Sequence, residues 1–308
     1  MKRSLVRSRV LVVAAVLGIA ASACVPVTPP VTDGMAGAPT VTPTSLPSGA
    51  LQYTAIRYGT TAGEQYLDLY RPAGSGPFPL VVWYHGGAWA GGNRWDLPSG
   101  FRDALLAAGY AVATVDYRLA QLLANRWPSG LLDAKLGVKY LRTYAAELNL
   151  DGNRIVTSGH SAGGHLAVMV ALSKGAAGTS LPQGDPAVEG AIAFGAPMDI
   201  PMVMASTLNP ILIAAQLSIR WMLECGDWCD TTRMQPPAYL DAADPPVKLV
   251  FGALDVTVPA SHANVMATKA SQVGYSGLTT ETLAGLDHDD VNSAAPTSSF
   301  LPWLASVM

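Results

Sequence analysis

The chain has 308 residues, half of them hydrophobic and only 13% charged. That is the make-up of an apolar globular protein with enough length for one large core. Four of its 19 basic residues, Lys2, Arg3, Arg7 and Arg9, lie before residue 24, which leaves 15 basic against 22 acidic side chains (net −7) in the remainder. No basic run survives, and an acidic surface repels phosphate, so nucleic acid is excluded as a partner.

The first element is not part of a fold. After the four basic residues, Val10 to Ala20 ("VLVVAAVLGIA") form a short apolar run, and small residues follow in "ASAC". This pattern predicts an export signal over residues 1–23, with an apolar run too short to span a bilayer. "ASAC" resembles the lipobox of bacterial lipoproteins, in which the cysteine is lipidated, although Ala21 stands where leucine is usual. Two destinations follow: a cell-envelope lipoprotein held at a membrane surface through Cys24, or a protein secreted after cleavage at Ala23. Residues 24–50 hold six prolines, several threonines and a single charge. That composition predicts an extended tether.

From residue 51 to 308 the pattern predicts one domain. "QYTAIRY" and "QYLDLYR" alternate apolar and polar residues, as antiparallel edge strands do. Valine-rich runs at 79–85, 110–117, 154–159, 190–196 and 247–253 are bounded by glycine or proline, which suits strands buried on both faces of a parallel sheet. Segments of helical period lie between them at 102–109, 131–148, 161–174 and 260–274, and a closing helix is expected at 297–307. The fold class is therefore α/β, a mostly parallel sheet with helices on both faces. Residues 199–246 are too long for a simple connection. Their apolar, Met-rich sequence, broken by Asn209, Pro210, Gln216 and Arg220, predicts a small helical cap over a pocket. Within it Cys225 and Cys229, four apart in an exported chain, are candidates for a disulfide. No cysteine or histidine cluster suggests a metal.

The chemistry centres on "GHSAGGH" at 159–165. Ser161 follows a strand and opens a helix, the setting of a nucleophile elbow. Its tight turn requires small residues at Gly159 and Gly163. "YHGGAW" at 84–89 offers glycine-rich backbone whose N–H groups can face a cavity. Gly86, Gly87, Ala88 and Ala162 are the candidate oxyanion-hole donors, with Gly87 and Ala162 favoured. The acid belongs at the end of a late strand, where Asp255 stands; Asp199 is its rival. Of five histidines, His85 is expected to brace the oxyanion turn. His160 should point away from the nucleophile, His165 lies below it on the helix, and His262 follows Asp255 on a helix. His288, after "TTETLAGL", alone completes the chain order Ser, Asp, His.

Taken together, "HGGAW", "VDYRLA", "GHSAGGHLA", "GALDVTVP" and the late His288 resemble the esterase/lipase branch of the α/β-hydrolases. The similarity lies near hormone-sensitive lipase and the feruloyl-esterase-like carboxylesterases. Ala88 replaces a usual third glycine of the hormone-sensitive-lipase group and His160 a usual acid, which brings the motifs closer to kynurenine formamidase and the feruloyl-esterase-like group. The resemblance implies an α/β-hydrolase fold and a serine hydrolase of carboxylic esters with Ser161, Asp255 and His288 as its triad. It implies no metal or organic cofactor, and the apolar cap suggests a small apolar ester as substrate. Two alternatives remain open: hydrolysis of an aryl formamide, and a catalytically idle fold used as an envelope binding protein.

Overall fold

The computed structural model describes residues 34–60, 64–182, 184–206, 209–226 and 228–308. The expected export segment and Cys24 lie outside them. Among the described residues the elements run, in chain order, β1 (Thr44–Ser45), β2 (Leu51–Arg57), β3 (Tyr66–Arg71), β4 (Phe78–Tyr84), α1 (Ser99–Ala107), β5 (Ala111–Val115), α2 (Ser129–Thr143), β6 (Leu150–His160), α3 (Ala162–Leu172), β7 (Gly190–Phe194), α4 (Ile200–Ala205), α5 (Pro210–Leu223), β8 (Val247–Gly252), α6 (Ala263–Val273), β9 (Leu278–Leu283), α7 (Asp290–Ser293) and α8 (Thr297–Val307). The strands form one sheet in the order β1-β2-β3-β5-β4-β6-β7-β8-β9. The pairings from β5 to β9 are parallel, and β1 to β3 continue the sheet antiparallel.

Alternation along the buried strands divides the core in two. Leu80, Val82, Ala111, Ala113, Ala191 and Ala193 face the larger cluster, with side chains from α2 and α3. Val81, Trp83, Val112, Ile192 and Phe194 face the other, with Phe101 of α1 and Phe300 and Leu304 of α8. The alanines on the first face have a purpose: they let α3 approach the sheet closely. A Cβ on Gly164 of that helix would stand 2.8 Å from the Ala196 side chain and 3.3 Å from that of Ala193. Side chains strictly alternate across a pleated sheet, so a strand buried on both faces reads as a continuous apolar run. This is why the valine-rich segments were legible.

The tether expected over 24–50 is corrected in its second half. Residues 34–50 belong to the domain, which therefore begins before residue 51. Ala36 donates its N–H to the Tyr58 carbonyl at 3.0 Å, and β1 pairs with β2. Tyr140 of α2 and Tyr144 just after it donate their hydroxyls to the carbonyls of Gly37 and Ala36. Met35, Ala36 and Val41 pack against the core. A Pro-rich extended strand has no internal hydrogen bonds, so its carbonyls are free to accept from side chains, and the apolar residues scattered in it suffice to dock it.

Between β7 and β8 the chain forms α4 and α5 followed by short turns, with Cys225 joined to Cys229 in a disulfide. Asp199 caps α4 by accepting from Met202 N at 3.1 Å, and Asn209 caps α5 through Ile211 N at 2.9 Å. Proline follows at the first or second helical position in both, where its missing N–H costs nothing.

Candidate active site

Strand β6 ends at His160 and α3 begins at Ala162, so Ser161 forms the whole corner. Its backbone has φ 52° and ψ −122°, a left-handed conformation that a residue with a Cβ adopts only when its surroundings enforce it. The enforcement is visible. Ser161 N donates to the Phe194 carbonyl of β7 at 2.9 Å, and its own carbonyl accepts from His165 N at 3.0 Å. A Cβ on Gly159 would come within 2.5 Å of the Gly163 carbonyl carbon and 2.6 Å of the Tyr84 oxygen. A Cβ on Gly163 would overlap the Tyr84 and His85 carbonyls. The glycines are thus required by close approach to the end of β4.

Ser161, His288 and Asp255 meet at this corner. His288 Nδ1 lies 2.8 Å from Asp255 Oδ2 and His288 Nε2 lies 3.1 Å from Ser161 Oγ, all three residues being buried. A carboxylate only accepts, so the imidazole proton sits on Nδ1 and Nε2 is left to accept from the serine hydroxyl. Asp255 is fixed on its other oxygen: Oδ1 accepts from Thr257 N at 2.9 Å and Val258 N at 2.7 Å. His288 stands in the turn between β9 and α7. That turn is held to the end of β8 by Leu254 N donating to the Leu286 carbonyl at 2.9 Å. Asp199, the rival acid, is the cap of α4, and its N–H donates to His262 Nδ1 at 3.2 Å.

The oxyanion candidates border the same corner. Gly87, Ala88 and Trp89 take φ values of 111°, 54° and 60°, three successive left-handed residues in a turn that Ala90 and Gly91 N–H close onto the Gly87 carbonyl. Among the described residues none accepts a hydrogen bond from the N–H of Gly87, Ala88 or Ala162. Ala162 is the first residue of α3, whose N–H has no partner within the helix. Gly86 packs against Ser161: a Cβ there would lie 3.4 Å from that of the serine. The "VDYR" segment braces this turn from outside. Asp116 holds Arg94 through Nη1 at 2.6 Å, and Tyr117 donates to the His85 carbonyl at 2.8 Å while stacking on the His85 ring at 4.3 Å.

A cleft of about 270 Å³, counted out through its open mouth, adjoins Ser161. It is lined by Ala88, Trp89 and Ala162 on the sheet side and by Val203, Ile211, Leu212 and Ala215 of the cap, with Thr257 and Val258 beside them. The lining is almost wholly apolar, so it suits an uncharged substituent.

The other histidines have structural partners. His165, fully buried, donates from Nε2 to the Met234 carbonyl at 2.7 Å and accepts from Trp89 Nε1 at 3.3 Å. It thereby ties the floor of the cleft to the cap. His262 is in a short turn ahead of α6. Burial holds the pKa of His160, His165 and His262 down to about 4 in each case. His160 is not among the residues that line the cleft, yet it touches His288. Its Nε2 lies 2.7 Å from the His288 carbonyl and its ring centroid 4.7 Å from that of His288. A residue at the end of β6 alternates away from the serine in sequence, but the turn carrying His288 folds back across that side, a long-range placement no local pattern encodes.

Comparison with known proteins agrees with this architecture. The probable carboxylic ester hydrolase LipM of Mycobacterium tuberculosis is 24% identical over 226 residues, covering 71% of this chain and 51% of the relative. Kynurenine formamidase of Danio rerio is 31% identical over 176 residues, 54% of this chain and 53% of the relative. The chain thus spans about half the length of either. A truncated carbohydrate esterase from gut microbiota has the same fold, with a TM-score of 0.68 at 21% identity, covering 88% of this chain and 98% of that one. The family model BD-FAE matches residues 67–270. With more than half of its length matched, the chain belongs to the BD-FAE family.

Proposed function

We propose that the protein is a serine hydrolase that cleaves carboxylic esters through an acyl-enzyme intermediate. The observation that carries this reading is the buried line from Asp255 Oδ2 through His288 to Ser161 Oγ, at 2.8 and 3.1 Å. In the proposed reaction Ser161 attacks the ester carbonyl while His288 Nε2 takes its proton. Asp255 keeps the imidazole in the required tautomer and stabilises its cation. The oxyanion is held by the N–H of Ala162 and those of Gly87 and Ala88, at the positive end of α3. His288 then returns the proton to the departing alcohol, and a water repeats the sequence to release the acid. Strain at Ser161 serves this scheme because it keeps Oγ clear of its own helix. Val203, Ile211, Leu212 and Ala215 favour an apolar, uncharged acyl or alcohol group.

A second reading, hydrolysis of an aryl formamide, is favoured by the identity to the Danio rerio formamidase. It uses the same three residues and differs only in the leaving group. Both readings require turnover, unlike a binding protein without catalysis. The test is Ser161→Ala assayed on p-nitrophenyl esters of increasing chain length and on an N-formyl arylamine, with a fluorophosphonate as active-site label. Loss of turnover and of labelling at residue 161, with the melting temperature kept, is the expected result. Undiminished hydrolysis by the Ser161→Ala protein refutes the mechanism, and the ratio of ester to formamide rates in the parent decides between the substrates.

A further inference from the structure

The residue before the nucleophile has chemistry that the proposed reaction does not use. We propose that His160 is a positioning residue for the base: its Nε2–H holds the main chain of His288 so that the His288 ring stays between Ser161 and Asp255. The inference rests on the serine-hydrolase reading above and adds to it a fourth residue, outside the triad.

Three observations carry it. The first is the hydrogen bond from His160 Nε2 to the His288 carbonyl at 2.7 Å, made within the residue whose own ring bonds Ser161 and Asp255. A carbonyl only accepts, so Nε2 carries the proton and Nδ1 is bare. The second is contact on the other side. A Cβ at Gly86 would stand 3.1 Å from His160 Nδ1 and 3.3 Å from the His160 carbonyl, so the ring is wedged between the oxyanion turn and the His288 turn. The third is that the two rings lie 4.7 Å apart, tilted by 46°, which closes off the rotation of His288 toward β6. His160 thus joins three segments far apart in sequence: the elbow, the glycine turn after β4, and the turn after β9.

The role requires a neutral donor. A second cation beside His288 would oppose the imidazolium that forms during the reaction. The charged or titratable groups acting on His160 are His288, whose charge lowers its pKa while the bond to the His288 carbonyl raises it, and Asp255, which raises it. Burial, the largest influence, outweighs the two that raise it and sets the value at about 4. His160 therefore remains uncharged near neutral pH.

The test compares His160→Gln, His160→Asn and His160→Ala in the full chain. A glutamine amide nitrogen extends about as far from Cβ as Nε2 does and can donate to the His288 carbonyl, whereas that of asparagine falls short. His160→Gln should retain kcat within about threefold. His160→Asn and His160→Ala should each lose about 10- to 100-fold in kcat with little change in KM, since displacement of a reacting group by about an ångström has that effect. The fluorophosphonate labelling rate should fall in parallel. The acid limb of kcat/KM should follow a single proton in the parent and in His160→Gln, because His160 stays uncharged above about pH 4 and adds no proton of its own. Melting temperatures confine the comparison to folded protein, and the near-isosteric Gln and Asn variants decide the matter alone if the alanine variant does not fold. The proposal is overturned if His160→Asn and His160→Ala keep the parental kcat. It is also overturned if glutamine is as damaging as asparagine, if the loss lies in KM, or if the acid limb follows two protons. Those results leave the serine mechanism standing so long as Ser161→Ala is inactive. An active Ser161→Ala protein removes the mechanism itself.

Discussion

The C-terminal edge of the sheet and the cap above it are both apolar, yet they are built on opposite plans. At the sheet edge each group is fixed from several sides. Ser161 is held by β7, by α3 and by glycines that leave no room for a Cβ, and Asp255 spends one oxygen on two backbone N–H groups before its other oxygen meets His288. In the cap, α5 buries Leu212, Ala215, Ile219 and Met222 but also presents Ile211, Ile213 and Leu217 to solvent at 44 to 47% exposure. No charged residue occurs from Ile200 to Ile219. The lesson is a division of labour: the sheet supplies precision about bonds, and the cap supplies only apolar area, which is tolerant of shape.

The sharpest way to break that comparison is at the two aspartates. Asp255→Asn removes the charge that faces the His288 imidazole and should lower kcat by about 10⁴-fold. Asp199→Asn keeps an N-cap side chain on α4 and should change kcat less than about threefold. Steady-state kinetics on a soluble ester, with melting temperatures as control, checks this. An Asp199 effect larger than the Asp255 effect would reverse the assignment of the acid.

Acid should strike the seam between the two regions. His165 and His262 link the sheet side to the cap through Met234 O and Asp199 N, and both are held neutral by burial with a pKa of about 4. Their unfolded value is near 6.5, so below that pH the unfolded chain binds protons that the folded one refuses, and stability falls. The contribution is complete above about pH 6.5 and is lost progressively toward about pH 4. Each such histidine costs on the order of 2 kcal/mol at about pH 5. Urea titrations at about pH 7 and pH 5 should show the loss, and His165→Gln should flatten it. An identical pH slope in that variant would mean His165 does not carry the proton linkage.

The smallest effect belongs to the cap itself. Ile211 lines the cleft and is nearly half exposed, so Ile211→Ala removes little buried area and should cost less than about 1 kcal/mol of stability. It should still raise KM severalfold for longer acyl chains while leaving short ones nearly unchanged, because a hydrophobic contact discriminates chain length by modest factors. A chain-length series on the variant checks this. Equal changes at every length would show that α5 does not meet the acyl group.

How far this was readable without coordinates depended on the range of the interactions. The valine-rich runs, the helical segments and the elbow glycines follow from local periodicity and local crowding, and these gave the α/β class and drew attention to Ser161, Asp255 and His288. The docking of residues 34–50 was missed because composition averaged over the segment hid Met35, Ala36 and Val41, which pack against the core, with Ala36 bonded to Tyr58 and Tyr144, far from it in the chain. The capping roles of Asp199 and Asn209 came only with the structure, in which each accepts from a backbone N–H of the helix it opens.

What the sequence by itself determined was periodicity, turn chemistry and the chain order of Ser161, Asp255 and His288, since these depend on neighbours along the chain. Only the tertiary structure decided which histidine touches which. His160 stands beside Ser161 in the chain but bonds the carbonyl of a residue 128 positions away. His165 shares a helix with the serine and is spent on Met234 and Trp89 instead. Hydrogen bonds are specific only within about 3 Å and along defined directions, and in a nine-stranded sheet those directions are set by packing between strands distant in sequence.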